Sequence, residues 1–366
     1  MVYRLKKDVW YVGRCCECGA CISTCSKNIL RSPRDGDHPE LEVREKRIGS
    51  SHIVVDTCFF CEKPCEDSCP RLREWEKGQI LHTVTVTSRL PDTSIVNALL
   101  IASIRRKLVD GAVTWDIDRE TFKPIPKIVT REEEILTTSG YQYLWHPILE
   151  VLNDAIYKKG LKKIAVVGPP CIAQAVKAIR TSNNNKLKVY KNSIYLMIGV
   201  FCEGAYTQQL VQEIVDRFDI NPYELNRLIM DIKNKVLRIV MQEGLMKGIP
   251  LPEIRRYMKQ GCARCTDFTA ECADISVGTI GLEEKGTMVI VRTPLGERSL
   301  KYAFMEKTLK PSETSISLEE IQKLVIDKER RKRAQEIDSL TSLMLESLLG
   351  KKSRDEVREK LKIAWR

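Results

Sequence analysis

Apolar positions along this chain change period several times. From His82 to Thr87 apolar and polar residues alternate, the period-2 pattern of a strand. Ser94–Lys107 carries the denser apolar pattern of a helix, with Asp92 or Thr93 placed to cap it. Lys163–Val167 and Ile194–Phe201 are short apolar runs of the buried-strand kind. The first leads through Gly168-Pro169-Pro170-Cys171 into a helix reaching Ile179. The second ends at Cys202 and is followed by a helix from about Tyr206 to Arg217. Repeated strand–helix units predict a mostly parallel sheet with covering helices. Thr287–Thr293 and Arg298–Tyr302, joined by Pro294-Leu295-Gly296, read as a hairpin. The chain therefore reads as α/β in three parts: a small domain over 1–80, an α/β body over 81–302, and a charged helical tail over 303–366.

Composition narrows the class. Of 366 residues, 43% are hydrophobic and 30% charged, enough to bury a core and too apolar for a disordered chain. The longest apolar runs, Ala98–Ile104 and Ile194–Cys202, reach at most about half of the ~20 residues a membrane span needs. No secretory h-region stands at the N-terminus, so a cytoplasmic protein is expected. The formal charge of +11 would steer anionic ligands toward a basic mouth. The basic run Lys328–Arg333 reads as a solvated helix face, or as docking surface for a partner. Basic residues are not interleaved with aromatics, so nucleic acid is not an expected partner. The anomaly is cysteine. A cytosolic chain keeps its thiols reduced, and 14 of them point to metal.

Nine cysteines fall in residues 1–80. Cys15, Cys18, Cys21 and Cys25 follow C-x2-C-x2-C-x3-C, and Cys58, Cys61, Cys65 and Cys69 follow C-x2-C-x3-C-x3-C with Pro70 next. A [4Fe–4S] cluster takes one thiolate at each of four irons, and two-residue gaps let one loop wrap three of them. In two-cluster ferredoxins the fourth cysteine of each run serves the other cluster. That rule assigns Cys15, Cys18, Cys21 with Cys69, and Cys58, Cys61, Cys65 with Cys25. Zinc is the competing reading, but its sites bring paired C-x2-C units rather than triplets with a trailing fourth. Residues 1–80 thus read as a two-cluster ferredoxin-like domain.

The second constellation lies in the body. Cys171 opens a helix, Cys202 ends a strand, and Cys262 and Cys265 share a Gly-led loop. Cysteines at the carboxyl edge of such a sheet sit where α/β proteins place their sites. These four would hold a third cluster, leaving Cys16 and Cys272 as the spare pair, with Cys272 able to replace one of the four.

Gly261-Cys262-Ala263-Arg264-Cys265-Thr266-Asp267-Phe268, followed by Ala273-Asp274-Ile275-Ser276-Val277-Gly278, resembles the signature of the coenzyme F420-reducing hydrogenase/dehydrogenase β-subunit family. Val166–Cys171 and Phe201-Cys202-Glu203-Gly204 resemble that family's two other cysteine elements. The likeness runs from about residue 80 to 335. It implies a [4Fe–4S] cluster next to FAD, with hydride passing between the flavin and coenzyme F420, a deazaflavin. Flavin contacts are then expected at Thr93, Ser94, Gly140, Tyr141, Gln142 and Tyr143, and around the cluster loop at Asp267, Asp274, Ser276 and Gly278. Gln142 stands where the family has a cation, and Pro91-Asp92-Thr93-Ser94 replaces a Gly-Gly step. A relay subunit without flavin, and a flavin-dependent reductase with another organic acceptor, are the alternatives. No G-x-G-x-x-G or P-loop is present, and no primary oxidation centre can be named. A partner dehydrogenase of the hydrogenase, formate or carbon monoxide type is therefore expected.

Overall fold

The computed structural model describes residues 3–33, 38–42, 44–48, 51–55, 58, 60–138, 143–279 and 286–332. In chain order the body contains β1 (His82–Ser88), α1 (Ile95–Arg105), β2 (Gly111–Asp118), β3 (Lys123–Val129) and α2 (Glu132–Leu136). Next come β4 (Ile164–Gly168), α3 (Pro170–Thr181), β5 (Ile194–Val200) and α4 (Gln209–Phe218). A three-stranded antiparallel sheet follows: β6 (Leu225–Asp231), β7 (Val236–Met241) and β8 (Met246–Pro250). The chain then returns to the main sheet through β9 (Ile275–Gly278), β10 (Thr287–Val291), α5 (Pro294–Met305) and β11 (Leu309–Pro311). A last helix, α6, covers 318–332.

The main sheet has eight strands in the order β11-β1-β10-β9-β5-β4-β2-β3. Its centre is parallel, with β9 on β5, β5 on β4 and β4 on β2. The other four pairings are antiparallel. The sheet is therefore mixed, not mostly parallel as the repeated units suggested. The parallel units are real, but β2 and β3 are joined by a short turn and β10 runs back against β9, so both flanks reverse. Every residue of β4 is buried, as its unbroken apolar run requires. Sheet and covering helices share one core, to which Cys16, Cys18 and Ala20 of the N-terminal part also belong. The small sheet has a core of its own, in which Leu228, Leu237 and Ile249 pack on Leu210 and Ile214 of α4.

Local chemistry corrects two further expectations. Ser94, not Asp92 or Thr93, caps α1: its side chain accepts from the Asn97 amide at 3.1 Å. The expected second hairpin strand at Arg298–Tyr302 is helix. Thr293 accepts from the Gly296 amide at 3.2 Å, and Pro294 occupies the first helical position, where its missing N–H costs nothing. Pro294-Leu295-Gly296 is thus a helix start rather than a turn. Ser299, Leu300 and Ala303 face inward, and the Ser299 and Ser103 hydroxyls meet at 3.1 Å where α5 packs on α1.

Thr293 also donates to Asp274 at 3.0 Å. Thr293→Ala removes a cap and a partly buried hydrogen bond together. It is expected to cost about 2 kcal/mol, read as a lowered midpoint in denaturant unfolding with an unchanged slope.

Candidate functional site

The two N-terminal cysteine runs fold as two copies of one turn. In each, a residue at positive φ, Gly19 at +82° and Lys63 at +51°, precedes a one-turn helix. These helices, Ala20–Ser23 and Pro64–Asp67, carry the third cysteine of each run. Thr24 and Ser68 follow them, and their hydroxyls hydrogen-bond at 2.9 Å. Each stands one residue before the fourth cysteine of its run, so this contact sets the segments that lead into Cys25 and Cys69 against each other. Cys15 and Cys69 are the cysteines whose charge weighs most on Cys21. Cys25 is the one that weighs most on Cys65, followed by Cys61 and Cys58. Cys15, Cys16, Cys18, Cys21 and Cys69 border one small cavity. Each fourth cysteine thus lies against the opposite run. Donors point at the sulfurs: the Glu17 amide at Cys15 (3.3 Å), the Lys63 amide at Cys61 (3.4 Å), and the Ser26 hydroxyl beside Cys61 (3.3 Å).

The body cysteines gather at the carboxyl edge of the parallel strands. Cys171 lies in the first turn of α3 after β4, and Cys202 lies just beyond β5. Cys262 and Cys265 close on them from the loop after the small sheet. Cys171 and Cys262 feel each other's charge, as do Cys262 and Cys265. The Ala205 amide donates to Cys262 at 3.4 Å. Gly261 makes this closure possible, since a Cβ there would lie 2.0 Å from the Cys15 carbonyl oxygen. The body loop thus sits directly on the first N-terminal run. Beside it a buried ion pair joins Lys259 to Glu17 at 2.6 Å, Leu149 donates its amide to the Cys18 carbonyl at 3.0 Å, and the Tyr190 hydroxyl donates to the Ser23 carbonyl at 2.8 Å. Cys16 occupies the junction, its sulfur between those of Cys171 and Cys18. At Cys272 burial, then the nearby Asp267 charge, pushes the thiol up to about 12.

The donor set suits a positively charged metal group. Burial, then neighbouring cysteines, push the thiols of Cys15, Cys21 and Cys69 upward, so gathering them as thiolates requires a cation in their midst. Among the described residues no three His, Cys, Asp or Glu donors converge on a single bare-ion position.

A cleft opens beside the body cysteines. Its larger chamber holds about 1260 Å³ and includes Arg89, Arg119 and Arg227, Ser94 and Asn97 of α1, and Tyr143. A connecting chamber of about 430 Å³ is lined by Phe201, Gly278 and Tyr143. Phe201 immediately precedes Cys202. Tyr143 is held at φ +59°, and burial, then the Cys202 charge, push its hydroxyl up to about 12. None of the three arginines has a carboxylate partner among the described residues.

Models of the coenzyme F420 hydrogenase/dehydrogenase β subunit match over residues 83–153, its N-terminal part, and 161–335, its C-terminal part. The chain belongs to that family. An uncharacterized protein of Methanocaldococcus jannaschii is 32% identical, covering 89% of this chain and 96% of its own length. The coenzyme F420 hydrogenase β subunit of Methanococcus voltae is 27% identical, covering 67% of this chain and 88% of its own. A chain of the F420-reducing [NiFe] hydrogenase complex from Methanosarcina barkeri shares the fold, with a TM-score of 0.66 at 23% identity over 72% of this chain and 94% of that one. Named relatives are subunits of F420-dependent oxidoreductases, among them a coenzyme F420 hydrogenase β subunit and an F420-dependent formate dehydrogenase β subunit. No helix among the described residues is long and apolar enough to cross a membrane.

Within this family member the expected flavin residues divide. Thr93, Ser94, Tyr143 and Gly278 line the cleft. Gly140, Tyr141 and Gln142 lie outside the described residues. Asp274 and Ser276 are engaged inside the fold. Asp274 accepts from Arg180 at 2.9 Å and from the Met197 amide at 2.7 Å, and Ser276 bridges the Ala270 carbonyl and Arg292. Asp267 accepts from Gln174 and the Glu271 amide and braces the cysteine loop. The basic tail run is not a solvated face throughout, because Lys328 and Lys332 are buried. Sequence reading missed Arg71, Arg89, Arg119, Arg227 and Lys328. Only Lys328 left a signal, since Ile321, Val325, Lys328 and Lys332 share one helical stripe.

Serine substitutions test the exchange. Cys69→Ser is expected to cost about four irons and to disturb the group that also depends on Cys15, while Cys25→Ser disturbs the one that depends on Cys58. Cys272→Ser leaves iron unchanged. Iron analysis of anaerobically prepared variants reads all three.

Proposed function

We propose that this subunit exchanges electrons between a partner dehydrogenase and coenzyme F420 in the cytoplasm, using three [4Fe–4S] clusters and FAD. The observation that carries this reading is the continuity from gathered cysteines, through Cys202 and Phe201, into a cleft lined by arginines. Bound there, clusters supply one-electron steps and the flavin pairs two electrons into the hydride that a deazaflavin requires. Residues 1–80 act as the ferredoxin-like part, in which Cys15, Cys18, Cys21 and Cys69 hold one cluster and Cys58, Cys61, Cys65 and Cys25 another. Cys171, Cys202, Cys262 and Cys265 hold the third.

The remaining work belongs to the cleft. Arg89, Arg119 and Arg227 offer three cations to the anionic groups of FAD and F420, a bidentate chemistry suited to phosphate. The amides at the start of α1, beside Ser94 and Asn97, give a second anion contact without a glycine step. Gln142 therefore need not carry a charge for phosphate to be held. Phe201 and Tyr143 offer apolar faces to a planar ring and keep water from its inner edge. A Cβ at Gly278 would meet the Phe201 ring at 2.2 Å, so glycine there keeps this wall in place.

Anaerobically prepared protein is expected to hold about one FAD and about twelve irons per chain, and to oxidise reduced F420 with an artificial one-electron acceptor. Twelve irons without flavin would make it a relay, and FAD without F420 oxidation would point to another organic acceptor. The double substitution Arg119→Gln, Arg227→Gln is expected to lower flavin retention several-fold with iron unchanged, as read from released flavin and iron on one sample.

A further inference from the structure

We propose that Lys328 sets the reduction potential of the iron–sulfur group held by Cys171, Cys202, Cys262 and Cys265, an inference that rests on the cluster reading above. Helix α6 runs across the cysteine loops, with Ile321 and Lys328 each 1% exposed. The Lys328 ammonium donates to the Cys202 carbonyl and to the Asp267 carbonyl, both at 2.7 Å. One carbonyl belongs to a ligand cysteine, and the other lies two residues beyond Cys265. Two neighbouring contacts fix the helix in this position. Arg331 pairs with Glu203 at 2.7 Å, and Lys332, 4% exposed, rests its ammonium 3.8 Å from the Met258 sulfur.

A neutral donor would suffice to tie two carbonyls. An ammonium brings a full charge into a region from which water is excluded, and among the described residues no carboxylate is in salt-bridge contact with it. Glu203 is engaged by Arg331. The Asp267 carboxylate is occupied by Gln174 and the Glu271 amide, at 3.4 and 3.2 Å. The Lys328 charge acts most strongly on Cys265 and Cys202, and less strongly on the Glu203 and Asp267 carboxylates. A four-thiolate cluster is anionic and gains one further negative charge when it accepts an electron. A fixed nearby cation favours the reduced form, and in a dry interior that preference is only weakly screened. Arg71 adds to the effect from the N-terminal side, where its guanidinium reaches Gln174 at 3.3 Å beside the same cysteines. The electron step is a simple one-electron reduction of the cluster, with no proton or bond change at Lys328. Lys328 is thus a positioning residue whose charge acts through the cluster.

The test is a redox titration of the full chain with dithionite, followed by electron paramagnetic resonance. The body-cluster signal is identified as the one lost in Cys262→Ser. Lys328→Met is expected to keep about twelve irons and to move that midpoint to more negative potential, leaving the other two clusters where they were. Lys328→Arg should restore it, and Glu203→Gln, which removes a negative charge from the same loop, should move it the opposite way. Full iron with an unmoved midpoint in Lys328→Met overturns the proposal and leaves the cluster reading intact. If that variant instead loses iron, Glu203→Gln decides: a positive shift supports the charge role and no shift overturns it. Wild-type protein lacking the body-cluster signal would overturn the cluster reading, and this proposal with it.

Discussion

A buried thiolate is opposed twice, by the loss of water around it and by the next thiolate beside it. Both costs rise as cysteines are packed more tightly, and here three sets of four come together within one molecule. Much of the local geometry answers that repulsion. Amides and hydroxyls turn toward Cys15, Cys61 and Cys262. The buried Lys328 and the half-buried Arg71 stand beside the body set. The metal groups inferred here supply the largest counter-charge, so their binding and the folding of these loops are coupled. Without a cation in each set, the upward-pushed thiols of Cys21 and Cys69 remain protonated, and the loops have only short helical turns to hold them.

The parallel centre of the sheet converts this local problem into a site. Parallel strands end on the same edge, so the segments after β4 and β5 deliver Cys171 and Cys202 to one place. β9 lies beside β5 and brings Gly278 to the same edge, where it shapes the cleft with Phe201. Adjacent residues then serve different tasks, Phe201 lining the cleft and Cys202 joining the cysteine set. No separate device is needed to couple the two, since one strand end serves both. The antiparallel flanks contribute stiffness. Asp274 and Arg292 are engaged in hydrogen bonds inside the fold.

Legibility in the sequence followed the range of the interactions. The cysteine runs were readable because their spacing is local geometry, whereas the expected exchange of Cys25 and Cys69 came from the two-cluster ferredoxin rule and not from spacing alone. The strands at Ile164 and Ile194 announced themselves by unbroken apolar runs. Pro294-Leu295-Gly296 misled, because turn residues and helix-start residues are the same types, and only the Thr293 cap and the inward face of Leu300 and Ala303 tell them apart. The three cleft arginines were invisible for a different reason. They come from the segments after β1 and β2 and from β6, and nothing local links them. Lys328 was hidden in a basic run whose composition suggested solvent, although its position on the stripe with Ile321 and Val325 marked it as inward-facing.

The contact between Gly261 and the Cys15 carbonyl bears on how electrons would move. If the N-terminal part were tethered only by a linker, transfer to the body would depend on docking, and its rate on how often the two surfaces met. Instead Cys16 and Cys18 are part of the body's own core, and the Glu17–Lys259 pair is buried at the seam. Breaking such a pair exposes one uncompensated charge to the interior, which makes opening of the seam costly. The first cysteine set and the body set are consequently held at one separation, with the Cys16 sulfur between them. Passage of an electron between these two sets would then require no motion of one against the other.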